Sequence, residues 1–429
     1  MKQCIKLLTT AALILVMIGG AFANGISLNS IGTRAMGMGG AMVGLADDVT
    51  SIYWNPAGLS NINGTFIGFY FSGISPMASY AWNFQTIGID VNAETNSNIY
   101  PCPNLFATYQ TDQWTFGLGI FVPAGLGTEW NGDDLLQISG GTALKWMSQI
   151  AVIDIAPSVA YKISDEFSLG LAVNIYYAMF DLKRPAEVAP NTFMQYVEES
   201  TGTGVGFSFG AQYKINEMLS IGGSVRTKTT VGMSGTAQND AFAAANATET
   251  DFDRDVSWPL WIAGGVALKP TERLILSLDI QYSQWSKSAD EFVTKYQSEV
   301  WQGALEPTDS HKLILNWEDA TQIRFGSEYF ASENLALRFG YYYDPAPSPD
   351  ETLNILFPSS TNDVITGGIG YKIDNWSFDL AGEYLFGGER DIAAELNNPV
   401  NPLEGFVNEM PGKHQMDIFA FSIGVGYTF

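Results

Sequence analysis

The C-terminal run "DIFAFSIGVGYTF" alternates strictly between two kinds of side chain. Phe419, Phe421, Ile423, Val425, Tyr427 and Phe429 fall on one face of an extended chain; Ala420, Ser422, Gly424, Gly426 and Thr428 fall on the other. Side chains alternate across a strand, so a period of two predicts a strand with one large apolar face and one small, more polar face. The pattern recurs. Phe167, Leu169, Leu171, Val173, Ile175 and Tyr177 share a face, as do Leu274, Leu276, Leu278, Ile280 and Tyr282, with Ser277, Asp279, Gln281 and Ser283 opposite the latter. Trp114, Phe116, Leu118, Ile120 and Val122 make another such face, and Leu335, Leu337, Phe339 and Tyr341 a fourth, with Arg338 opposite. Each segment is about 10 residues long, the length of a tilted strand that crosses a bilayer.

The connections alternate too. Short polar turns are predicted at Thr111–Gln113, Ser164–Glu166, Asn216–Met218, Thr271–Arg273, Ser332–Asn334 and Asp374–Asn375. Longer loops are predicted at 75–103, 124–149, 184–202, 235–254, 288–312, 345–361 and 388–412. Seven loops and six turns give 14 antiparallel strands, an even number whose two ends lie on the short-turn side. A soluble sandwich or propeller also alternates. Against it stand the nearly continuous large apolar face, the Tyr and Trp at strand ends, and the terminal aromatic Phe429. A closed barrel is also the one sheet that leaves no unpaired backbone in lipid. The fold class is therefore an all-β membrane protein, a 14-stranded transmembrane β-barrel.

Composition agrees. With 13% aromatic residues, 44 Gly and 15% charged residues, the chain is too aromatic and Gly-rich for an average soluble protein. Lys2 and Lys6, the apolar run Leu7–Ile18 and the small-x-small site Ala21-Phe22-Ala23 form a signal peptide over residues 1–23. Cys4 lies before the apolar run, which argues against a lipoprotein. Two lysines and no acid leave with that segment, taking the net charge from −24 to −26. So acidic a chain disfavours nucleic acid and anionic membrane surfaces as partners. Cys102 is the one cysteine after the signal segment, so no internal disulfide holds the fold.

Residues 24–60 do not alternate. "SIGTRAMGMGGAMVGLADDVTSIYWNPAGLS" mixes Gly, Ala and Met, and its Ile52, Tyr53 and Trp54 are apolar for a free periplasmic tail. A barrel of this size has a lumen that needs filling if it is not an open pore, and a plug fills it. The stretch "GTRAMGMGGAMVGLADDVTSIYWNPAGLS" resembles the N-terminal hatch of the FadL/TodX family, with its Ala46-Asp47-Asp48 step and Asn55-Pro56-Ala57. "VSWPLWIAGGVALKPTERLILSLDIQYSQWS" and the segment from Leu335 to Phe386 are similar to later strands of that family. The resemblance covers essentially the whole chain after the signal peptide and is weakest in the long loops. It implies a hatch at 24–60, a barrel at 61–429, and passive outer-membrane transport of long-chain fatty acids or other hydrophobic molecules. It further implies capture by extracellular loops, a lumen site next to the hatch, and lateral exit at a kinked third strand, by a monomer in contact with outer-membrane lipid and lipopolysaccharide.

Candidate sites follow, each with a plainer reading beside it. Asn55, Pro56 and Ala57, with Asp47 and Asp48, are hatch or gate residues that the resemblance sets near the kink in strand three; Asn-Pro is also a simple corner into strand one. Gly117, Gly119 and Pro123 weaken the pairing of the third strand, or make room for the hatch. Arg324 and Arg338, near the periplasmic ends of their strands, and Arg34 in the hatch are cations for a ligand carboxylate, or partners of lumen acids such as Asp279, Asp379 and Glu383. Trp130, Leu135, Leu136, Trp146 and Met147 make loop 124–149 apolar enough to line a capture groove, or to pack on itself. "DFDRD" at 251–255 lacks the Gly and Glu of a calcium loop. His311 and His414 are the only histidines, and no nucleophile-base arrangement or phosphate loop accompanies them. No catalytic, metal or cofactor site is expected. A surface receptor or adhesin that binds through acidic extracellular loops is the other function compatible with this pattern.

Overall fold

The computed structural model describes residues 25–29, 31–84, 88–189, 192–393 and 410–429; the expected signal peptide lies outside them. Fourteen barrel strands are present among the described residues. They are β1 (Thr65–Phe84), β2 (Tyr100–Thr111), β3 (Trp114–Trp130), β4 (Trp146–Lys162), β5 (Phe167–Ala189) and β6 (Thr192–Asn216). β7 (Leu219–Arg226, resuming at Thr229–Gln238) and β8 (Glu249–Trp258, resuming at Trp261–Thr271) are interrupted. β9 (Leu274–Ser283), β10 (Ala320–Phe330), β11 (Leu335–Asp344), β12 (Asn362–Ile373), β13 (Trp376–Gly387) and β14 (Gly412–Thr428) follow. Neighbours pair antiparallel, and β1 closes the barrel on β14 from Phe66–Thr428 to Ala81–Lys413. Asp112 and Asp374 take positive φ of 51° and 50° at two of the six tight turns, a conformation that Asp tolerates.

Strands run further than the membrane requires. β5 has 23 residues and β6 has 25, where about 9–11 suffice to cross a bilayer. Much of the sequence expected as loop at 124–149, 184–202 and 235–254 is therefore wall. β3 continues to Trp130, and β4 starts at Trp146. Above the bilayer the outer face meets water, so its side chains turn polar and the amphipathic signal fades while the ladder continues.

The two faces are segregated as the alternation requires. Ile67, Phe116, Leu169, Phe209, Phe339 and Ile423 are among the large apolar side chains left outside, where lipid would cover them. Aromatic pairs ring the short-turn end: Trp114–Tyr161 (4.5 Å between centroids), Trp376–Tyr427 (4.7 Å) and Tyr427–Phe429 (4.8 Å). Such rings suit a membrane–water boundary.

The lumen is filled by residues 25–62, which form two short helices, α1 (Thr33–Gly37) and α2 (Ser51–Trp54), and a 3-10 turn at Pro56–Asn61. Ile31, Met38, Met42, Leu45, Ile52 and Trp54 are buried there with Phe106 and Phe121 of the wall. Glycine lets plug and wall approach: a Cβ at Gly44 would overlap the backbone of Gly265 in β8. On the extracellular side a second core gathers Trp130, Trp146, Trp285, Phe292, Trp301 and Phe357. The loop between β9 and β10 joins this core through α3 (Glu299–Leu305) and a small hairpin of Glu291–Val293 with Lys312–Ile314.

Candidate functional site

The plug is fastened to the wall by a chain of charges. Arg34 of α1 contacts Asp47 (2.5 Å) and Asp48 (3.0 Å) within the plug and Glu328 of β10 (2.7 Å). Glu328 also pairs with Arg338 of β11 (2.7 Å), which reaches Asp379 of β13 (2.5 Å). Asp48 in addition accepts the Thr50 backbone N–H at 2.9 Å, an Asx turn that leads into α2. Arg34 and Arg338 thus meet acids, the plainer of their two readings. Below them opens a cavity of about 1020 Å³ on the short-turn side, lined by Arg34, Asp47, Glu328 and Arg338 among others.

Arg324 lies nearer the extracellular start of β10 than its periplasmic end, which corrects the place expected for it. Its guanidinium donates to the Gly39 carbonyl (3.0 Å) and to Asn29 and Gln322, and stacks on Tyr342 (4.2 Å). It too fastens the plug. A further fixing point is Asp279 of β9, which accepts the Val43 N–H at 2.7 Å and the Gly44 N–H at 3.3 Å.

Asn55 is fully buried. Its Nδ2 donates to the carbonyls of Val43 (3.0 Å) and Ala211 (3.1 Å), and its Oδ1 accepts from the Ala57 N–H (3.2 Å). Pro56 starts the 3-10 turn, where its missing N–H costs nothing. A Cβ at Gly210 of β6 would overlap Asn55 Oδ1, and one at Gly170 of β5 would overlap the Pro56 backbone. Asn55-Pro56-Ala57 therefore docks on β5 and β6. The residues that reach the third strand are others: Ile52 and Leu59 pack over Gly117, and the Tyr53 ring lies 5.6 Å from that of Phe121. Gly117 does make room for the plug.

The wall is discontinuous beside β3. Its pairing with β2 runs from Thr111–Trp114 to Leu105–Ile120 and stops there. β3 nevertheless continues, shifts register between Phe121 and Ala124 at Pro123, and pairs with β4 as far as Trp130–Trp146. Pro123 has no N–H to give, and a bulge there bends the strand. The start of the plug fills part of the deficit. Leu28 N–H donates to the Pro123 carbonyl (2.9 Å), Gly125 N–H donates to the Ile26 carbonyl (2.9 Å), and Ser27 faces Ala124 as an antiparallel bridge.

A pocket of about 80 Å³ lies against the same plug residues, Gly25 to Asn29. Trp317, Tyr342, Phe357, Leu385 and Met416 supply apolar wall, and Asp344, Asn362 and Glu383 polar groups. A chamber of about 20 Å³ between Ser27, Asn29, Pro123 and Arg226 lies on the β3 side of that segment. Arg226 donates to the Tyr53 carbonyl (2.9 Å) and stacks on Tyr53 and Trp261.

The residues expected to line a capture groove are closed over one another. Trp130, Leu135 and Trp146 are buried in the extracellular core; Leu136 and Met147 are half-buried. Trp130 Nε1 donates to the Ile355 carbonyl (2.9 Å), and Trp146 Nε1 to Ser139 Oγ (3.2 Å). Apolar side chains at a mouth that meets water bury one another. Residues 25–29, 357–360 and 362 line the pocket but carry no motif, and sequence reasoning missed them; the apolar stretch "NILFPSS" at 354–360 is a signal that could have pointed to burial there.

Comparison with known proteins fits this geometry. A family model described as outer membrane protein transport protein (OMPP1/FadL/TodX) matches residues 14–429. The long-chain fatty acid transport protein of Escherichia coli O6:H1 is 21% identical over 405 residues, covering 86% of this chain and 88% of that protein. The crystal structure of a Pseudomonas aeruginosa FadL homologue superposes with a TM-score of 0.79 at 17% identity, covering 94% of this chain and 100% of that one. That of the Ralstonia pickettii toluene transporter TbuX gives 0.67 at 17% identity, covering 94% and 99%.

Proposed function

This chain belongs to the OMPP1/FadL/TodX family of outer membrane transport proteins, and from that premise we propose that it passes small hydrophobic molecules through the outer membrane by a lateral route, without energy input. Substrate is captured where the extracellular aromatic core parts. It settles in the pocket against residues 25–29. When the plug's first segment withdraws from β3, the space between β2 and β3 opens toward the bilayer, and the substrate leaves sideways into lipid. Such a path spares an apolar solute the aqueous periplasm. Apolar burial supplies the affinity, at about 0.8 kcal/mol for each CH₂ removed from water.

One observation carries this reading. The β2–β3 ladder ends at Leu105–Ile120, and beyond it β3 is paired by Ile26–Leu28, a segment of the plug that also lines the pocket. A single segment therefore touches both the binding space and the gap in the wall. Asn55-Pro56-Ala57 and the Arg34–Glu328–Arg338 chain hold the rest of the plug while that segment moves, and Pro123 keeps the gap from zipping shut. The closed sheet needs no second subunit to hide an edge.

The test is uptake. Cells without a transporter of this kind, expressing this chain, are expected to import radiolabelled oleate or toluene faster than cells carrying the empty vector. No import of any apolar solute, with partner-cell binding lost on loop deletion, would establish a surface receptor instead.

A further inference from the structure

The gap beside β3 is a window with a margin on every side. Its lower margin is the last rung of the β2–β3 ladder, Leu105–Ile120. Its upper margin lies just before β2. There Asn96 N–H donates to the Glu129 carbonyl (2.7 Å), Asn98 Nδ2 donates to Glu129 Oε2 (3.2 Å), and Thr95 bridges Trp130. The sides are β2 from Asn104 back to Tyr100, which stays paired with β1, and β3 from Phe121 onward, which stays paired with β4.

The edge that β2 turns to the window is short of donors. Residues of an antiparallel strand alternate in the neighbour they bond. Gln110 N–H donates to the Gly64 carbonyl, so the even-numbered residues of β2 bond on the β1 side and the odd-numbered ones on the β3 side. The odd positions within the window are Pro101 and Pro103, and proline has no N–H. The first β3 donor above the lower margin, Val122 N–H, goes to the Asn104 side chain instead, with Oδ1 at 3.4 Å. Ile99, Pro101, Pro103 and Leu105 are exposed along the same edge, an apolar lip facing outward.

Tyr100 crosses the upper part of the window. It is the first residue of β2, yet its ring lies on Gly127 of β3, where an added Cβ would overlap the ring. Glycine leaves the room for it. The lower part is filled by the plug segment Ile26–Leu28, through its bonds to Pro123 and Gly125.

We propose that Tyr100 is the shutter of this window and sets the width of the solute that leaves through it. Withdrawal of Ile26–Leu28 clears the lower part. The upper part clears only when the Tyr100 ring turns away from Gly127. A slim solute passes below the ring; a broad one has to displace it. The two prolines keep β2 and β3 from closing over the opening. The inference rests on the lateral route.

The test is uptake of radiolabelled toluene and phenanthrene, corrected for cells carrying the empty vector. It compares the unaltered chain with Tyr100→Ala, Tyr100→Phe and Gly127→Ala, each in protein that shows heat-modifiable migration. Tyr100→Ala is expected to raise the phenanthrene-to-toluene ratio about fivefold, the gain from sparing a ring an off-rotamer excursion. Gly127→Ala should raise it too, because the new Cβ pushes the ring aside while Tyr100 remains. Tyr100→Phe keeps the ring and should keep the ratio. Toluene uptake with an unchanged ratio in both alanine variants overturns the shutter and leaves transport standing. A rise in Tyr100→Phe as large as in Tyr100→Ala also overturns it, because the hydroxyl and not the width of the ring would then decide. If the unaltered chain imports neither solute, the transport reading itself falls, and the inference with it.

Discussion

Asn55 illustrates what single side chains do here. Both of its amide hydrogens meet backbone carbonyls, one in the plug and one in β6, at full burial. Asn55→Ala leaves both acceptors unmet and should weaken plug docking by about 2 kcal/mol. Uptake should fall while the barrel keeps its heat-modifiable migration; loss of that migration would make the residue a requirement of the barrel. Glu328 sits between two arginines. Glu328→Gln removes the one acid that Arg34 and Arg338 share, while Arg34 keeps Asp47 and Asp48 and Arg338 keeps Asp379, so the cost is that of weakened charge-assisted hydrogen bonds, about 1.5 kcal/mol. The expected readout is faster protease cleavage within residues 25–62, with the barrel core intact; unchanged cleavage would show that the charge chain does not hold the plug. Sequence reasoning found Asn55 and the arginines by type. Which acids the arginines meet was not legible, because Arg34 and Glu328 lie 294 residues apart and only folding brings them together.

At the level of elements, β3 and the plug's first segment are hydrogen-bonded to each other. Ser27 and Ala124 face each other across an antiparallel bridge, a separation that a disulfide can span. Ser27→Cys with Ala124→Cys, in a Cys102→Ser background, should stop uptake when oxidised and recover it on addition of dithiothreitol. Transport at an unaltered rate by the oxidised protein would sink the lateral route. Gly117, Gly119 and Pro123 marked β3 as weak in the sequence, since glycine and proline are poor ladder residues. What occupies the gap was not legible. Residues 25–29 have no periodicity, and their pairing with β3 depends on the plug's being threaded through the lumen. Asn55-Pro56-Ala57 fared differently: the motif stood out, yet its dock is the glycine face of β5 and β6 rather than the kink.

Over the whole molecule, the lipid-facing belt sets the energy scale. Phe209 and Phe339 are about half exposed on the outer face, at 50% and 49%. Phe209→Arg should reduce the stability of the barrel in lipid bilayers by about 2–4 kcal/mol if the position lies near the midplane. Reversible denaturation in liposomes measures it, and a change near zero would place the residue at the interface. Alternation fixed fourteen strands, their faces and the short-turn end, because a bilayer demands that every strand be apolar outside and that every backbone group be paired. That demand is local and repeats with period two, so it can be read from the chain alone. The same constraint lapses above the membrane, which is why strands reaching as far as Ala189 and Gln238 read as loops. The plug obeys no such period. Which acid meets which arginine, which plug residues pair with β3, and which polar groups face the pocket are matters of closure, decided when β1 meets β14 and the plug is enclosed.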